Sequence, residues 1–142
     1  EPLEEGFTLE VLQGIVRGHR LPIKALLLDQ HLIAGLGNMW ADEALFEARI
    51  HPLRRAADLT GEEVERLHRA IREVLERGLR SGGASVDTYR LPDGSQGNAH
   101  VEFRVAHRRG ERCLDCGHPL AYTKVRGRGT HFCPICQEGP PA

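Results

Sequence analysis

The sequence predicts a mainly α-helical protein in which a bundle of four helices is followed by a small β-hairpin held by cysteines. Apolar residues recur at helical spacing in four segments of the first 83 residues. A stretch rich in Asp, Pro, Gly, Ser and Gln follows them, which is typical of a loop. All four cysteines then fall within residues 113–136.

The composition excludes several classes of protein. The chain has 142 residues, 40% of them hydrophobic and 27% charged, and a mean hydropathy of -0.38. These fractions are ordinary for a globular chain of one domain or two small modules, so wholesale disorder is excluded. No apolar run approaches the ~20 residues that span a bilayer, which argues against a membrane protein. The acidic start, Glu1-Pro-Leu-Glu-Glu, is unlike the basic region of a secretory signal.

The net charge of -1 conceals an uneven distribution. Residues 101–136 carry seven Lys or Arg against three acids, whereas residues 1–10 carry four acids and no Lys or Arg. We therefore expect a polyanion to meet the carboxy-terminal part of the chain.

The first two helices are predicted within residues 8–30. Thr8 is placed as the N-cap of a short amphipathic helix. Pro22 then opens a second helix from Ile23 to about Gln30, because the first turn of a helix tolerates the missing N–H of proline. The apolar face of the first helix carries Leu9, Leu12, Ile15 and Val16.

The third helix is predicted from Met39 to about Ala48, after a Gly-Leu-Gly turn. Asn38 is placed as its N-cap. Asp42 and Glu43 are placed in its first turns, where the helix dipole favours acids, and both are interpreted as structural rather than as an acid/base pair.

The fourth helix is predicted to run from a capping box formed by Thr60 and Glu63 to about Arg80. Its charged residues are interpreted as a solvated face without a function. Its inward stripe is predicted to consist of Val64, Leu67, Ile71, Val74, Leu75 and Leu79.

These elements divide the chain into three parts. Residues 1–83 form the helical domain, residues 84–103 form a connector, and residues 104–138 form the cysteine module. No internal repeat is visible.

Two identical Cys-x-x-Cys pairs carry the strongest local signal. Their spacing is that of a site for one structural zinc ion built from two knuckles. The other interpretation is two disulfides in a secreted domain, which the lack of a signal peptide disfavours. The proposed ligands are Cys113, Cys116, Cys133 and Cys136. We expect His107, His118 and His131 to lie at the surface or on the hairpin rather than on the metal.

Two basic sites indicate a nucleic acid partner. Gly37 and Asn38 precede a helix, and a helix N-terminus with nearby glycines suits a phosphate, although an ordinary turn has the same residues. Arg20 and Lys24 lie upstream, and Arg128 lies between the cysteine pairs. Two basic sites on two modules suit a duplex, and the few aromatic residues disfavour a platform for single strands.

Two stretches carry a family resemblance. Residues 22–52, PIKALLLDQHLIAGLGNMWADEALFEARIHP, closely resemble the helix-two-turn-helix signature of bacterial formamidopyrimidine-DNA glycosylases. Residues 113–137 resemble the zinc finger of that family, including Gly-Arg-Gly-Thr before the last cysteine pair. Endonuclease VIII-type glycosylases share this architecture. The resemblance implies a helix-two-turn-helix bundle of four helices with a four-cysteine zinc-finger hairpin.

The resemblance also implies an activity. Family members excise oxidised purines from double-stranded DNA and cleave the strand at the abasic site through an amino-terminal proline in a β-sandwich lobe. This chain resembles only the carboxy-terminal half, and Pro2 is no substitute because its nitrogen is acylated. The expected partner is double-stranded DNA with a damaged base or abasic site, bound by a monomer in the bacterial cytoplasm at the nucleoid.

By resemblance, Arg20, Lys24, Gly37, Asn38 and Arg128 are DNA-binding residues. Arg128 is in addition assigned a part in the elimination step. Residues 93–102 correspond to the segment that closes over a flipped base, but they match it poorly, which leaves the preferred lesion open.

Two other functions remain compatible with the residues. A free-standing lesion-recognition or architectural DNA-binding protein that cuts nothing would have the same sequence features. An RNA-binding zinc module of the ribosomal kind also uses these elements, and a preference for structured RNA over nicked DNA would support it.

Overall fold

The computed structural model describes residues 6–33, 36–80 and 103–139. Four helices and one antiparallel hairpin are described, and in chain order they are α1 (Leu9–Arg17), α2 (Ile23–Leu28), α3 (Asn38–Glu47), α4 (Gly61–Arg80), β1 (Ala121–Val125) and β2 (Arg128–Phe132). A single 3-10 turn, Ala56–Asp58, precedes α4. Among the described residues no helix is both long and apolar enough to cross a membrane.

The predicted start of α1 is confirmed, and the predicted end of α2 is wrong. The Thr8 hydroxyl accepts a hydrogen bond from the Val11 amide, as an N-cap does. Helix α2 ends at Leu28, two residues before Gln30, because Asp29 adopts an extended backbone. The carbonyl of Asp29 accepts from the amides of residues 32 and 33, and its carboxylate accepts from residue 31, which closes a local turn.

Helix α3 begins one residue earlier than predicted, and its N-cap is Gly37 rather than Asn38. The Asn38 side chain does not cap the helix because its amide nitrogen donates to the carbonyl of Gly129, 3.0 Å away on β2. At the other end Arg49 takes a left-handed conformation, and the Ile50 amide donates back to the Leu45 carbonyl. This is the geometry that commonly ends a helix at glycine.

Helix α3 is buried on every side. Each residue from Met39 to Phe46 is buried, the two acids included. Trp40, Ala44 and Leu45 belong to the large core that α3 shares with the other helices. Phe46 belongs to a second, smaller core that contains Val105, Leu120 and two of the cysteines. Helix α3 therefore lies between the helical bundle and the cysteine module.

Helix α4 opens on the predicted capping box and buries most of the predicted stripe. The Glu63 amide donates to the Thr60 hydroxyl, and the Thr60 amide donates to the Glu63 carboxylate. The prediction for Leu79 is wrong, because 58% of that residue is exposed. Gly78 occupies the inner face instead, where a Cβ would lie 2.8 Å from the Trp40 ring. The buried members of the stripe are Val64, Leu67, Ile71 and Val74, with Leu75 partly buried.

Strands β1 and β2 form a hairpin with a two-residue turn. Val125 pairs with Arg128, so Arg126 and Gly127 are the two central residues of the turn. Their φ angles are 52° and 80°. Positive φ at both positions is the conformation that matches the twist of the strands in a tight hairpin.

The predicted connector lies mostly outside the described residues, since residues 81–102 are not described. Its last residue, Phe103, packs against Trp40 with ring centroids 5.6 Å apart. The predicted boundary between residues 83 and 84 also lies outside the described residues.

The capping box makes the stability of the protein depend on pH through the charge of Glu63. Burial alone would raise the pKa of Glu63, but hydrogen bonds from Arg54 and Thr60 outweigh burial and lower the pKa below 4.5. Because the folded-state pKa is lowered, the stabilisation is present above the unfolded pKa and is lost as pH falls through the folded value. Glu63→Gln should therefore lower the free energy of unfolding by about 1 kcal/mol at pH 7.

Urea unfolding of both proteins between pH 7 and pH 2.5 measures this difference. The difference should begin to shrink as the pH falls below the unfolded pKa of about 4.5, and it should vanish only below the lowered folded-state pKa, where wild-type Glu63 is protonated as well. A difference that does not change with pH would contradict a role for the Glu63 charge.

Candidate metal centre and nucleic-acid interface

The four predicted metal ligands converge. Their Sγ atoms all lie within 4.8 Å of one another. The Sγ distances are 3.9 Å between Cys113 and Cys136 and 3.5 Å between Cys116 and Cys133. A tetrahedral zinc ion with Zn–S bonds of about 2.3 Å holds its sulfurs about 3.8 Å apart. The geometry fits one zinc ion and rules out disulfide bonds, since all four cysteines are free.

Backbone amides support the sulfurs in both knuckles. The Asp115 amide donates to Cys113 Sγ and the Cys136 amide donates to Cys133 Sγ, each at 3.4 Å. Burial and hydrogen bonding among the thiols raise the pKa of Cys136 to about 12. Four thiolates at this spacing therefore need a cation, and a bound metal deprotonates its thiol ligands.

No histidine joins the cluster that the described residues form. The His118 ring faces the carbonyl of Pro119, and His131 stacks edge-on against Tyr122. Four protein ligands leave no open coordination position, so the site is structural.

Gln137 joins the second knuckle to the segment that follows α3. It is fully buried, its side-chain oxygen accepts from the Cys133 amide, and its side-chain nitrogen donates to the carbonyl of Ile50. The distances are 2.8 and 2.9 Å. The role of Gln137 was not predicted from the sequence, because its partner lies 87 positions away.

Lys24 lies in the interior, not at the surface. Its residue is 0% exposed, and its ammonium pairs with the Asp42 carboxylate at 2.5 Å. The ammonium also donates to the Thr130 hydroxyl at 2.8 Å and to the Gly129 carbonyl at 3.3 Å. Burial lowers the pKa of Lys24, the Asp42 charge opposes that shift, and the nearby Arg128 charge adds to it. The expected direct contact between Lys24 and DNA conflicts with this burial, because the ammonium would have to leave all three partners.

Glu43 anchors the start of the cysteine module. Its two carboxylate oxygens accept hydrogen bonds from the amides of Arg104, Val105 and Ala106 at 2.8 to 3.0 Å. Burial raises the pKa of Glu43, and these hydrogen bonds oppose that shift.

The interpretation of Asp42 and Glu43 as partners of the helix dipole is wrong. Neither residue lies in the first turn of α3. Asp42 binds Lys24 and the amide of His131, and Glu43 binds three amides beyond the connector. Both carboxylates join α3 to the cysteine module.

The structure brings Asn38 and the turn of the hairpin together. The hydrogen bond from Asn38 to the Gly129 carbonyl places the N-terminus of α3 beside Arg128, which is exposed. Glycine at position 129 leaves room for the Tyr122 ring, because a Cβ there would lie 2.7 Å from the Tyr122 hydroxyl and the ring would have to move. The side-chain oxygen of Asn38 is buried, and it has no hydrogen-bond partner among the described residues.

The other two predicted DNA-binding residues are both exposed. Gly37 lies at the start of α3, directly before Asn38. Arg20 lies on the segment between α1 and α2, and no hydrogen bond among the described residues connects it to the junction of Asn38 and Arg128. The structure thus brings Asn38 and Arg128 together and places Gly37 directly before Asn38, and no described hydrogen bond joins Arg20 to these residues.

Comparisons with known proteins agree with this architecture. A family model described as the formamidopyrimidine-DNA glycosylase H2TH domain matches residues 1–90, and one described as the zinc finger found in FPG and IleRS matches residues 110–139. A relative named formamidopyrimidine-DNA glycosylase from Symbiobacterium thermophilum is 51% identical over 99% of the chain and 46% of its own length. One of the same name from Thermus thermophilus is 50% identical over 99% of the chain and 54% of its own length.

Solved structures show the same likeness. The MutM (Fpg) protein of Thermus thermophilus has a TM-score of 0.88 and 48% identity, covering 99% of this chain and 54% of its own. A Lactococcus lactis FPG mutant in complex with Fapy-dG containing DNA has a TM-score of 0.87 and 41% identity, covering 98% of this chain and 51% of its own. The chain spans about half the length of these relatives.

The four-cysteine site predicts the metal content of the protein and the effect of removing the metal. Purified chain should contain one zinc ion, and chelation should disorder the cysteine module, because the core of that module is small and its two knuckles supply all four ligands of the ion. Trp40, which packs against Phe103, reports this change through its fluorescence. Zinc analysis and fluorescence measure the two effects. A metal-free chain with an unchanged spectrum and unchanged melting would contradict the structural role of zinc.

The buried ion pair of Lys24 and Asp42 predicts how two variants change the stability of the fold. Lys24→Met should lower the free energy of unfolding by about 3–5 kcal/mol, because it leaves the Asp42 charge buried without its partner. Adding Asp42→Asn should recover at least half of that loss, because the uncompensated charge is removed. Urea unfolding measures both variants. A double variant as unstable as Lys24→Met would contradict this account.

Proposed function

Because the chain belongs to the formamidopyrimidine-DNA glycosylase family, we propose that it binds double-stranded DNA containing a damaged base or an abasic site. In this proposal it acts as the carboxy-terminal half of a base-excision glycosylase and AP lyase for oxidised purines. The nucleophile of the reaction belongs to the half of the relatives that this chain does not match. The residues of this chain bind the duplex.

One observation carries the proposal. The hydrogen bond between Asn38 and Gly129 joins a helix N-terminus and an exposed arginine at one surface, although 91 positions separate the bonded residues. The N-terminus of a helix offers unpaired amides and the positive end of a dipole, and an arginine binds phosphate through a planar fork of donors. Such a pair suits the phosphates beside a lesion.

Support also comes from the proteins that the chain resembles. Lactococcus lactis structures with TM-scores of 0.84 to 0.87 are described as complexes with DNA that contains an abasic site or Fapy-dG. We carry that partner class over to this chain, with Gly37, Asn38 and Arg128 at the phosphates. Arg20 is proposed to make a separate contact with the DNA backbone. In the complete enzyme Arg128 is also proposed to assist the elimination step.

The buried Lys24 takes an indirect part in this proposal. It binds the carbonyl of Gly129 and the side chain of Thr130, the two residues that follow Arg128. We propose that it positions the strand that carries Arg128 and does not contact a phosphate itself.

DNA binding by the zinc-loaded chain tests the proposal. A duplex with a tetrahydrofuran abasic analogue should bind with submicromolar affinity, and the affinity should fall steeply with salt. Arg128→Ala should weaken binding by about 1–3 kcal/mol, because it removes a charge-assisted phosphate contact. Fluorescence anisotropy measures both quantities.

Arg69→Gln is the matched control. It removes the same charge from an exposed position on α4, where Arg69 pairs only with Glu65 among the described residues. Its affinity should equal that of the wild type. Equal losses for Arg69→Gln and Arg128→Ala would indicate unspecific attraction, and tighter binding to structured RNA would contradict DNA as the partner. Borohydride treatment should trap no covalent complex, whereas a free-standing enzyme would give one.

A further inference from the structure

The turn of the hairpin holds an arginine in a strained backbone conformation. Arg126 has φ 52° and precedes Gly127 in a turn that requires positive φ at both positions. Glycine and asparagine are the residues that tolerate this conformation, and a longer side chain is disfavoured there. Arginine is therefore a poor choice for the first position if only the turn matters.

Another arginine in the same conformation has side-chain contacts that can offset such strain. Arg49 has φ 61°, but its guanidinium pairs with Asp115 at 2.5 Å and lies over the Phe46 ring, 4.8 Å from the centroid. Arg126 is exposed, and it makes no ion pair or hydrogen bond with another described residue. Contacts within the described part of the chain thus do not explain the arginine at position 126.

The charges around Arg126 leave it available to an anion. Residues 119–132 contain no Asp or Glu, and they carry Lys124, Arg126 and Arg128, all exposed. The one carboxylate seen to bind this hairpin within the described residues is that of Asp42, which already binds Lys24 and the His131 amide. The exposed cations of the turn therefore face solvent without a neutralising acid.

The two arginines are placed to act together. Arg128 pairs across the hairpin with Val125, which is buried, and its charge lies close enough to Lys24 to affect it. Arg128 therefore lies on the side of the hairpin that faces α3, whereas Arg126 is at the apex of the turn. Two guanidinium groups two residues apart suit two neighbouring phosphates of one strand.

We propose that Arg126 is a further phosphate-binding residue, which contacts the DNA backbone next to the phosphate held by Arg128. This inference rests on the proposed function and extends the binding surface to a second phosphate of the DNA backbone. The contact is independent of base sequence, and the strain at position 126 persists because the exposed guanidinium serves binding.

Arg126→Asn separates binding from folding, because asparagine suits the turn better than arginine does. The variant should melt at the wild-type temperature or above it. Its affinity for the tetrahydrofuran duplex should fall about tenfold, the loss expected for one charge-assisted contact. The slope of log affinity against log salt should become shallower by about 1. Arg126→Lys, which keeps the charge, should retain most of the affinity and the full slope.

If Arg126→Asn binds with the affinity and salt slope of the wild type while Arg128→Ala binds weakly, the inference about Arg126 is wrong and the proposed function stands. A lower melting temperature for Arg126→Asn would overturn the strain argument, and an equal loss for Arg126→Lys would overturn the role of the charge. If the wild-type chain does not bind the duplex, both proposals fail.

Discussion

The rest of the structure depends on a helix that is buried on all sides and yet carries two carboxylates. Burying a carboxylate is unfavourable unless hydrogen bonds or an opposite charge compensate it. Helix α3 meets this requirement with partners from other parts of the chain, an ammonium from α2 for Asp42 and three consecutive backbone amides for Glu43. Because both carboxylates also reach the cysteine module, the arrangement that satisfies α3 is the one that attaches the module to the bundle.

The same arrangement connects the interior of the molecule to its proposed binding surface. Lys24 binds the backbone of Gly129 from inside, and Asn38 binds the same carbonyl from the N-terminus of α3. Arg128, the neighbour of Gly129, is exposed. The backbone that carries Arg128 is thus fixed by its pairing with Val125 and by the buried polar contacts of the next residue, and such a rigid scaffold positions a side chain at the surface.

The features of the fold that depend on local interactions were predictable from the sequence. The caps of α1 and α4 and the two cysteine knuckles each depend on residues within four positions of one another, so their patterns are visible in the sequence. The polar residues of the interior were misread because their partners are distant. Lys24 and Thr130 are 106 positions apart, and Gln137 and Ile50 are 87 apart. A charged residue in a helix usually indicates exposure, and no periodicity distinguishes Asp42 and Glu43 from the exposed acids of α4.

The distance along the chain between Asp42 and His131 also bears on how the protein folds as it is made. Synthesis proceeds at about 5–20 residues per second, so the 89 positions between these hydrogen-bonded residues take on the order of 5 to 20 seconds. During that interval Asp42 lacks one of its two partners, and until the chain has grown by 61 to 63 positions beyond Glu43 that carboxylate lacks its three amides as well. Helix α3 therefore reaches its final burial only after residues 104–131 have been made, and a nascent chain without them exposes the face that the cysteine module covers.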